Sequence, residues 1–228
     1  MKPTKHDLQS QETLQLIRTA AAEADGQLSV IVRHSARCYP KRPEMEAFMT
    51  LTEEGKNFAC DLGRALPEDM KPQIAASYIT RCMETADLIS KGFAMSNGVF
   101  PRHTEVEKEV TPFYMRDIPT AVRRQREVGH DVYLRMWLNG EASEDEVLSS
   151  TVAADAICNW MVAQLDLLAP GEISIGVTHD WNLFPVKEHK LHQPHEEVGQ
   201  VGYLEGLVVY RRQGELVLRG LVGDAVVL

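Results

Sequence analysis

VIVRHSARCYP, residues 30–40, begins as a β-branched apolar run and ends among basic and polar side chains. The run is bounded by Gly26 on one side and by polar residues on the other, which is typical of a short parallel strand buried on both faces. Arg33 and His34 follow the run directly, and Arg37 comes three residues later. Fixed positive charges around an imidazole indicate a site for a small, multiply charged anion, with the imidazole as nucleophile. A basic surface turn has the same local composition, so this interpretation needs support from elsewhere in the chain.

The overall composition is that of an ordinary globular protein. The chain has 228 residues, of which 44% are hydrophobic and 25% charged, and this predicts one domain of moderate size with a real core. A net charge of −9 argues against a nucleic-acid partner, because binding phosphate backbones requires clustered positive charge. An acidic protein can still bind an anion if it concentrates cations locally.

The sequence gives no sign of export or of a membrane partner. The N-terminal segment lacks an apolar signal-peptide core, and no run approaches the roughly 18 apolar residues of a membrane span. The four cysteines form no CxxC pair, so neither a zinc site nor a disulfide scaffold is expected. We therefore predict a cytoplasmic protein with reduced thiols.

Apolar periodicity predicts an α/β architecture. Buried strands are expected at 28–32, 74–79 and 173–179, and helical patterns lie between them. A hairpin is expected over 206–220, around Gln213-Gly214. Strands that alternate with helices of this length indicate a three-layer α/β/α sandwich with a mostly parallel central sheet.

The middle of the chain has weaker signals. The clearest helix is expected over 144–168, because Ser143 and Glu146 have capping-box spacing. Residues of approximately 113–145 have the weakest periodicity, and we interpret them as a small helical insertion over the active-site edge of the sheet. Residues 1–228 then form a single domain.

Charged or imidazole residues follow three of the predicted strands at the point where each strand ends. They are Arg33, His34 and Arg37 after the first strand, Arg81 after the second, and His179 and Asp180 after the third. Because the carboxyl ends of parallel strands lie along one edge of a sheet, we expect these side chains to converge there.

The chemistry of these residues fits phosphoryl transfer. Three guanidinium groups can neutralise a phosphate dianion through paired hydrogen bonds. A neutral imidazole can attack phosphorus and form a phosphohistidine, and the second histidine can donate to the equatorial oxygens. A neighbouring carboxylic acid can protonate the leaving alcohol. This chemistry needs no metal and no cofactor, and we predict neither.

Four segments resemble motifs of the histidine phosphatase superfamily, which includes the phosphoglycerate mutases. They are RHSARCYP (33–40), LTEEGKNFACDLGRAL (51–66), SYITRCMETADLI (77–89) and GVTHD (176–180). The resemblance covers about residues 28–92 and 172–212. It implies a phosphoglycerate mutase-like fold, with His34 as phosphoryl acceptor, Arg33 and Arg81 as phosphate ligands, and His179 as the second histidine of the pocket.

Two details are similar to the acid phosphatase and phytase branch. The Arg-His-x-x-Arg spacing implies Arg37 as an added phosphate ligand, and the His-Asp pair implies Asp180 as proton donor. Mutases instead place a glutamate donor after the second helix, and Glu109 and Glu105 lie in that region as alternative donors.

Two further residues are candidate substrate contacts. Ser35 replaces the glycine that usually follows Arg-His in the family, and its hydroxyl can reach a phosphate. Trp181 directly follows the His-Asp pair. We expect substrate specificity to reside in residues 38–50 and 111–145.

Taken together, the sequence predicts a phosphomonoester hydrolase that acts through a phosphohistidine on a small phosphorylated metabolite. Two alternatives stay open. One is a phosphomutase, and the other is a noncatalytic module that binds a phosphorylated ligand. The serine at position 35, in place of the usual glycine, is the feature that supports the noncatalytic module. The sequence is compatible with a homodimer.

Overall fold

The computed structural model describes residues 5–40, 42–102 and 104–228 and organises them around one sheet. The strands of the described chain are β1 (Leu28–Arg33), β2 (Lys71–Ala76), β3 (Glu105–Val106), β4 (Glu172–Thr178), β5 (Gly206–Arg212), β6 (Glu215–Arg219) and β7 (Val226–Val227). The α-helices are α1 (Lys5–Glu23), α2 (Glu53–Arg64), α3 (Thr80–Asn97), α4 (Ile118–Val128), α5 (His130–Leu138), α6 (Ser150–Leu167), α7 (Asp180–His189) and α8 (His195–Val198). Short 3-10 helices span Pro43–Phe48 and Lys108–Val110.

The order of strands in the sheet is β3-β2-β4-β1-β5-β6-β7. Strands β3, β2, β4 and β1 pair in parallel, whereas β5, β6 and β7 add antiparallel neighbours. Arg33 at the end of β1 lies opposite Thr178 at the end of β4. The carboxyl ends of the central parallel strands therefore meet at one edge, as the sequence predicts.

The apolar run of β1 is explained by burial on both faces of the sheet. Val30 and Val32 belong to a core shared with α1, α2 and α3, whereas Ile31 faces a second core shared with α5, α6 and α7. Alternate β-branched side chains thus fill two different cores. This layering confirms the predicted α/β/α sandwich.

Helices α2 and α3 approach each other closely enough to exclude side chains at the crossing. A Cβ on Gly63 would lie 2.1 Å from the Ile89 oxygen, and a Cβ on Gly92 would lie 1.9 Å from the Cys60 oxygen. The start of α2 also contacts the loop after β1, since a Cβ on Gly55 would lie 2.1 Å from the carbonyl oxygen of Ala36. These glycines set the distance between α2, α3 and the loop that follows His34.

The hairpin is found where the sequence predicts it, and side chains cap two of the helices. Gln213 and Gly214 both have left-handed φ values, of 54° and 82°, as a two-residue hairpin turn requires. Thr52 caps α2 by accepting from the Gly55 N–H at 3.0 Å. Asp117 caps α4 by accepting from the Thr120 N–H at 3.1 Å.

The helix predicted over 144–168 is wrong at its start, because α6 begins only at Ser150. Val147 instead forms a β-bridge with Met115, which holds the chain in an extended conformation. Ser143 does not close a capping box, and its hydroxyl accepts from the Asp145 N–H at 3.3 Å. Tertiary pairing overrides the local helical signal here.

The stretch interpreted as an insertion contains α4 and α5. No helix in the described ranges combines the length and the apolar character that crossing a bilayer would require.

Candidate active site

His34 lies at the carboxyl end of β1 and is almost completely buried, with 2% of its surface exposed. Its backbone N–H donates to the Thr178 oxygen of β4 at 2.8 Å, so the residue is still anchored to the sheet. Its Nδ1 lies 2.8 Å from the Ser35 carbonyl oxygen. Because a carbonyl only accepts, Nδ1 carries the hydrogen and Nε2 keeps a lone pair. The nitrogen that faces the site is therefore the one able to attack phosphorus.

The surroundings of His34 keep this imidazole neutral. Burial lowers the pKa of His34 well below its usual value, and the nearby His179, Arg33 and Arg81 lower it further. A neutral ring is the nucleophilic form.

Arg81, in the first turn of α3, joins the two histidines. Its Nε donates to His34 Nε2 at 3.0 Å, and its Nη2 lies 3.3 Å from His179 Nδ1. The two imidazole centroids are 5.6 Å apart. The Thr85 hydroxyl donates to the Arg81 carbonyl at 2.7 Å and accepts from the Ser35 N–H at 3.1 Å. One hydroxyl thus connects the start of α3 to the loop that begins with His34.

His179 follows β4 and is also buried. Because Arg81 donates to its Nδ1, the hydrogen of the neutral ring lies on Nε2, 3.0 Å from the Ser77 hydroxyl. Burial, followed by the charge of Arg81, lowers the pKa of His179 to about 3. The Cys82 sulfur lies 3.5 Å from the same Nε2, but burial raises the pKa of that thiol to about 12. Cys82 is therefore a neutral thiol and not a nucleophile.

Arg33 and Asp180 form an ion pair across the ends of β1 and β4. Arg33 Nη2 lies 2.8 Å from Asp180 Oδ2, and Arg33 Nη1 donates to the Val201 oxygen at 2.6 Å. The guanidinium also stacks over the Tyr203 ring at 4.3 Å. Asp180 is the first residue of α7, and 28% of its side chain is exposed. The carboxylate therefore lies on the open side of the cluster.

Arg37 is connected to the same cluster by the carboxylate of Glu46, which the sequence does not predict as a site residue. Glu46, in the 3-10 helix Pro43–Phe48, has one oxygen 2.8 Å from Arg37 Nη2 and 3.7 Å from Arg81 Nη2. Its backbone oxygen accepts from Arg81 Nη1 at 3.1 Å. Two guanidinium groups of the candidate anion site thus share one internal carboxylate.

Solved structures of phosphatases and a mutase have the same architecture. One is a mycobacterial glucosyl-3-phosphoglycerate phosphatase complexed with VO3, with a TM-score of 0.56 and 17% identity over 85% of this chain and 97% of that one. Another is phosphoglycerate mutase from Bacillus anthracis, with a TM-score of 0.55 and 14% identity over 90% of this chain and 96% of that one. A third is a phosphoserine phosphatase variant from Entamoeba histolytica in complex with phosphoserine, with a TM-score of 0.54 and 14% identity over 85% and 95%.

The chain has the phosphoglycerate mutase fold. The fold implied by the sequence motifs is therefore confirmed. No family model matches the sequence, and no curated protein matches it either.

Within the phosphoglycerate mutase fold, the hydroxyl of Ser35 is bonded to the start of α2. Its hydroxyl donates to the Gly55 oxygen at 2.7 Å, and the residue is fully buried. The expected contact between this hydroxyl and a phosphate is therefore wrong for this structure. Ser35 is absent from the residues with positive φ, so its backbone does not require glycine.

Trp181 is also placed differently from the expectation. It is 8% exposed and stacks on Trp137 at 5.5 Å and on Tyr133 at 6.0 Å, while its indole N–H donates to His130 at 3.0 Å. The side chain therefore packs against α5. The expected contact of Trp181 with substrate is wrong for this structure. Trp181 thus connects the start of α7 to α5.

The alternative proton donors lie on the segment that follows α3 and includes the edge strand β3, which pairs with β2. Glu105 is exposed on β3, and Glu109 lies in the 3-10 helix Lys108–Val110. Asn182 of α7 donates to the Glu109 carbonyl at 3.3 Å, and the Thr178 hydroxyl donates to the Val110 carbonyl at 2.8 Å. The backbone of Glu109 is thus bonded to α7, which begins with Asp180, and that of Val110 to the end of β4, which precedes His179.

One group of side chains has donor atoms spaced as in a metal site. The donor atoms of Glu188, His195 and Glu196 lie within 4.8 Å of one another. The Arg135 guanidinium, however, contacts all three, at 2.7 Å from Glu188, 3.2 Å from His195 and in a short ion pair with Glu196. An arginine therefore supplies the cation at this position.

Proposed function

We propose that the protein is a phosphomonoester hydrolase that acts through a phosphohistidine at His34. The observation that carries this proposal is the contact of one guanidinium, Arg81, with the lone-pair nitrogens of two buried imidazoles. Phosphatases among the solved structures with this fold also support it. A phosphate oxygen is a stronger partner for a guanidinium than a neutral imidazole is.

In the first step, a phosphate monoester takes the place of the imidazoles as partner of Arg81, which frees His34 Nε2. This nitrogen attacks phosphorus, an N–P bond forms, and the bond between phosphorus and the alcohol oxygen breaks. A carboxylic acid gives its proton to the departing alkoxide. Arg33, Arg37 and Arg81 hold the charge on the transferring group.

In the second step, water attacks phosphorus, the N–P bond breaks, and the carboxylate takes up the proton of the water. Inorganic phosphate leaves, and His34 returns to its neutral form. Once the phosphoryl group replaces Arg81 beside His179 Nδ1, the ring hydrogen moves from Nε2 to Nδ1. The Ser77 hydroxyl then donates to Nε2, and Nδ1–H donates to a transferring oxygen.

We propose Asp180 as the proton donor, with Glu109 and Glu105 as alternatives. Asp180 contacts Arg33 directly and is partly exposed, so it lies where an alcohol would depart. A phosphate that competes for Arg33 would separate the ion pair and leave the carboxyl group beside the departing oxygen.

The test is the fate of the phosphoryl group in a His34→Ala variant. The wild type should hydrolyse an aryl phosphate and yield an acid-labile, base-stable phosphoenzyme, whereas His34→Ala should lose both properties and keep its fold. His192→Asn is a matched control, because His192 is exposed and has a positive φ that asparagine tolerates. If His34→Ala still hydrolyses the aryl phosphate, His34 is not the phosphoryl acceptor.

The same assay separates the alternatives. A phosphomutase would return the phosphoryl group to the organic product and form an isomer, in place of releasing inorganic phosphate. A binding module would hold vanadate without turnover of any ester. We propose release of inorganic phosphate, from a small phosphorylated metabolite in the cytoplasm.

A further inference from the structure

Exposed apolar side chains follow or precede the charged residues of the candidate phosphate site closely in the chain. Tyr39 is 70% exposed, Phe48 64% and Tyr78 58%, and Met45 and Met83 are also exposed. Each of them lies within three residues of Arg37, Glu46 or Arg81. We call these five side chains the apolar rim. Large apolar side chains that are exposed next to a cluster of functional polar groups are typical of a binding surface.

One side of the apolar rim is an aromatic wall. The Tyr39 ring lies 4.3 Å from the Arg37 guanidinium, and its hydroxyl lies 2.8 Å from that of Tyr203. The Tyr203 ring in turn lies 4.3 Å from the Arg33 guanidinium and 5.8 Å from the His34 ring. The wall therefore runs from the solvent to the nucleophile.

The other side of the rim is the 3-10 helix Pro43–Phe48. The bond from Arg81 to the Glu46 carbonyl, 3.1 Å long, fixes this helix to the pocket. Met45 and Phe48, one and two residues from Glu46, are thereby held on the element that contacts Arg81, although they are exposed. The carboxylate of Glu46 adds negative charge at the same place.

We propose that the apolar rim receives the leaving group, so that the preferred substrate is a monophosphate ester of a neutral, aromatic or otherwise apolar alcohol. This inference rests on the proposed function. Burying an apolar group against the rim removes apolar surface from water on both sides. A polyhydroxylated leaving group would lose its bonds to water there without gaining partners, and an anionic one would be repelled by Glu46.

Two primary alkyl esters test the preference without a difference in intrinsic reactivity. We expect the ratio of kcat/KM for 2-phenylethyl phosphate to that for glycerol 1-phosphate to be about tenfold or more. Phe48→Ser should lower this ratio about fivefold, since it removes part of the rim. Phe100→Ser is the control: Phe100 is also 70% exposed, but it lies beyond the end of α3 that is distant from Arg81.

Binding of nonhydrolysable phosphonates separates this inference from the proposed function. By calorimetry, 2-phenylethylphosphonate should bind about tenfold more tightly than 2-hydroxyethylphosphonate, and Phe48→Ser should reduce the difference. Equal affinities, or equal effects of Phe48→Ser and Phe100→Ser, overturn the assignment of the rim. Phosphonate selectivity without hydrolysis of either ester would leave the rim supported and refute the hydrolase.

Discussion

At the scale of single residues, the site is organised by competition for guanidinium groups. Arg81 binds two imidazole nitrogens, Arg33 binds Asp180, and Arg37 binds Glu46. Each of these partners is one that a phosphate can displace, because its oxygens pair with arginine forks in two places at once. In the proposed mechanism, binding of the anion to Arg33 is therefore coupled to proton transfer from Asp180.

Asp180→Asn tests this coupling through the leaving group. If Asp180 protonates the departing oxygen, the variant should lose about 100-fold or more in kcat on an alkyl phosphate. The loss should be much smaller on an activated aryl phosphate, whose phenolate leaves without a proton. Glu109→Gln and Glu105→Gln should affect both esters equally. Equal losses in Asp180→Asn would assign the donor role to another carboxyl group.

His179 makes the fold sensitive to acid. Its pKa is lowered from 6.5 to about 3 by burial and by Arg81, so between these values the unfolded chain holds a proton that the folded chain does not. The free energy of unfolding therefore falls as the pH falls through this window, by up to about 1.4 kcal/mol per pH unit for this group.

His179→Gln cannot take up that proton, so its deficit in stability relative to the wild type should shrink from pH 6.5 towards pH 4. Urea unfolding at several pH values measures the difference. Parallel stability curves for the two proteins would show that His179 takes up its proton as readily in the folded chain as in the unfolded chain.

At the scale of elements, the 3-10 helix Pro43–Phe48 supplies a carboxylate that competes with phosphate for two arginines. Glu46 is 43% exposed at its side chain, yet it pairs with Arg37 and Arg81. A phosphate that binds both guanidinium groups has to break these pairs. An anion can bind only to molecules in which these pairs are broken. The carboxylate of Glu46 therefore lowers the apparent affinity for any anion in proportion to the fraction of such molecules.

Glu46→Gln keeps the shape of the side chain and removes the competing charge. Inorganic phosphate should then bind about threefold to fivefold more tightly, as expected for the loss of a partly exposed ion pair. Glu54→Gln changes the net charge equally from an exposed position on α2 and should have little effect. Calorimetric titration that finds both variants alike would assign the gain to net charge alone.

The parts of the site that the sequence predicts are those fixed by local signals. Arg33, His34, Arg81 and His179 follow strand ends, and the geometry of a parallel sheet brings such ends together. Glu46 and Tyr203 were missed, because their distance from the cluster depends on how two loops fold back over it.

The errors in the elements have the same origin. The start of α6 was misplaced because Val147 pairs with Met115, a partner 32 positions away that periodicity cannot show. The serine at position 35 was expected to face a phosphate, whereas the carbonyl oxygen of Gly55 accepts its hydrogen bond. In both cases a contact between distant segments decides the local conformation.

At the scale of the whole molecule, one sheet separates two cores and carries the site along a single edge. The parallel half supplies His34, Arg81 and His179, and the loop before β5 closes over Arg33. The backbone continues this pairing beyond β1, since the Leu204 N–H donates to the Arg33 oxygen at 3.1 Å. The position of the site thus depends on how α7 and this loop are joined.

A buried ion pair between Lys187 and Glu205 connects α7 to the loop before β5. Lys187 of α7 and Glu205 lie 2.5 Å apart, and their side chains are 6% and 8% exposed. The second oxygen of Glu205 accepts from the Gly202 N–H at 2.7 Å, in the loop whose Val201 carbonyl binds Arg33. Lys187 therefore neutralises the carboxylate that shapes the loop.

Lys187→Met should lower the free energy of unfolding by about 3–5 kcal/mol, because it leaves a buried carboxylate without its cation. Adding Glu205→Gln should recover part of this loss, since the uncompensated charge is removed. The double variant should still bind phosphate more weakly, because the loop that orients Arg33 keeps only a neutral partner for Gly202. Urea unfolding and phosphate titration of the three proteins measure these effects, and a single variant that loses less than about 1 kcal/mol would show that the pair contributes no more than an exposed one.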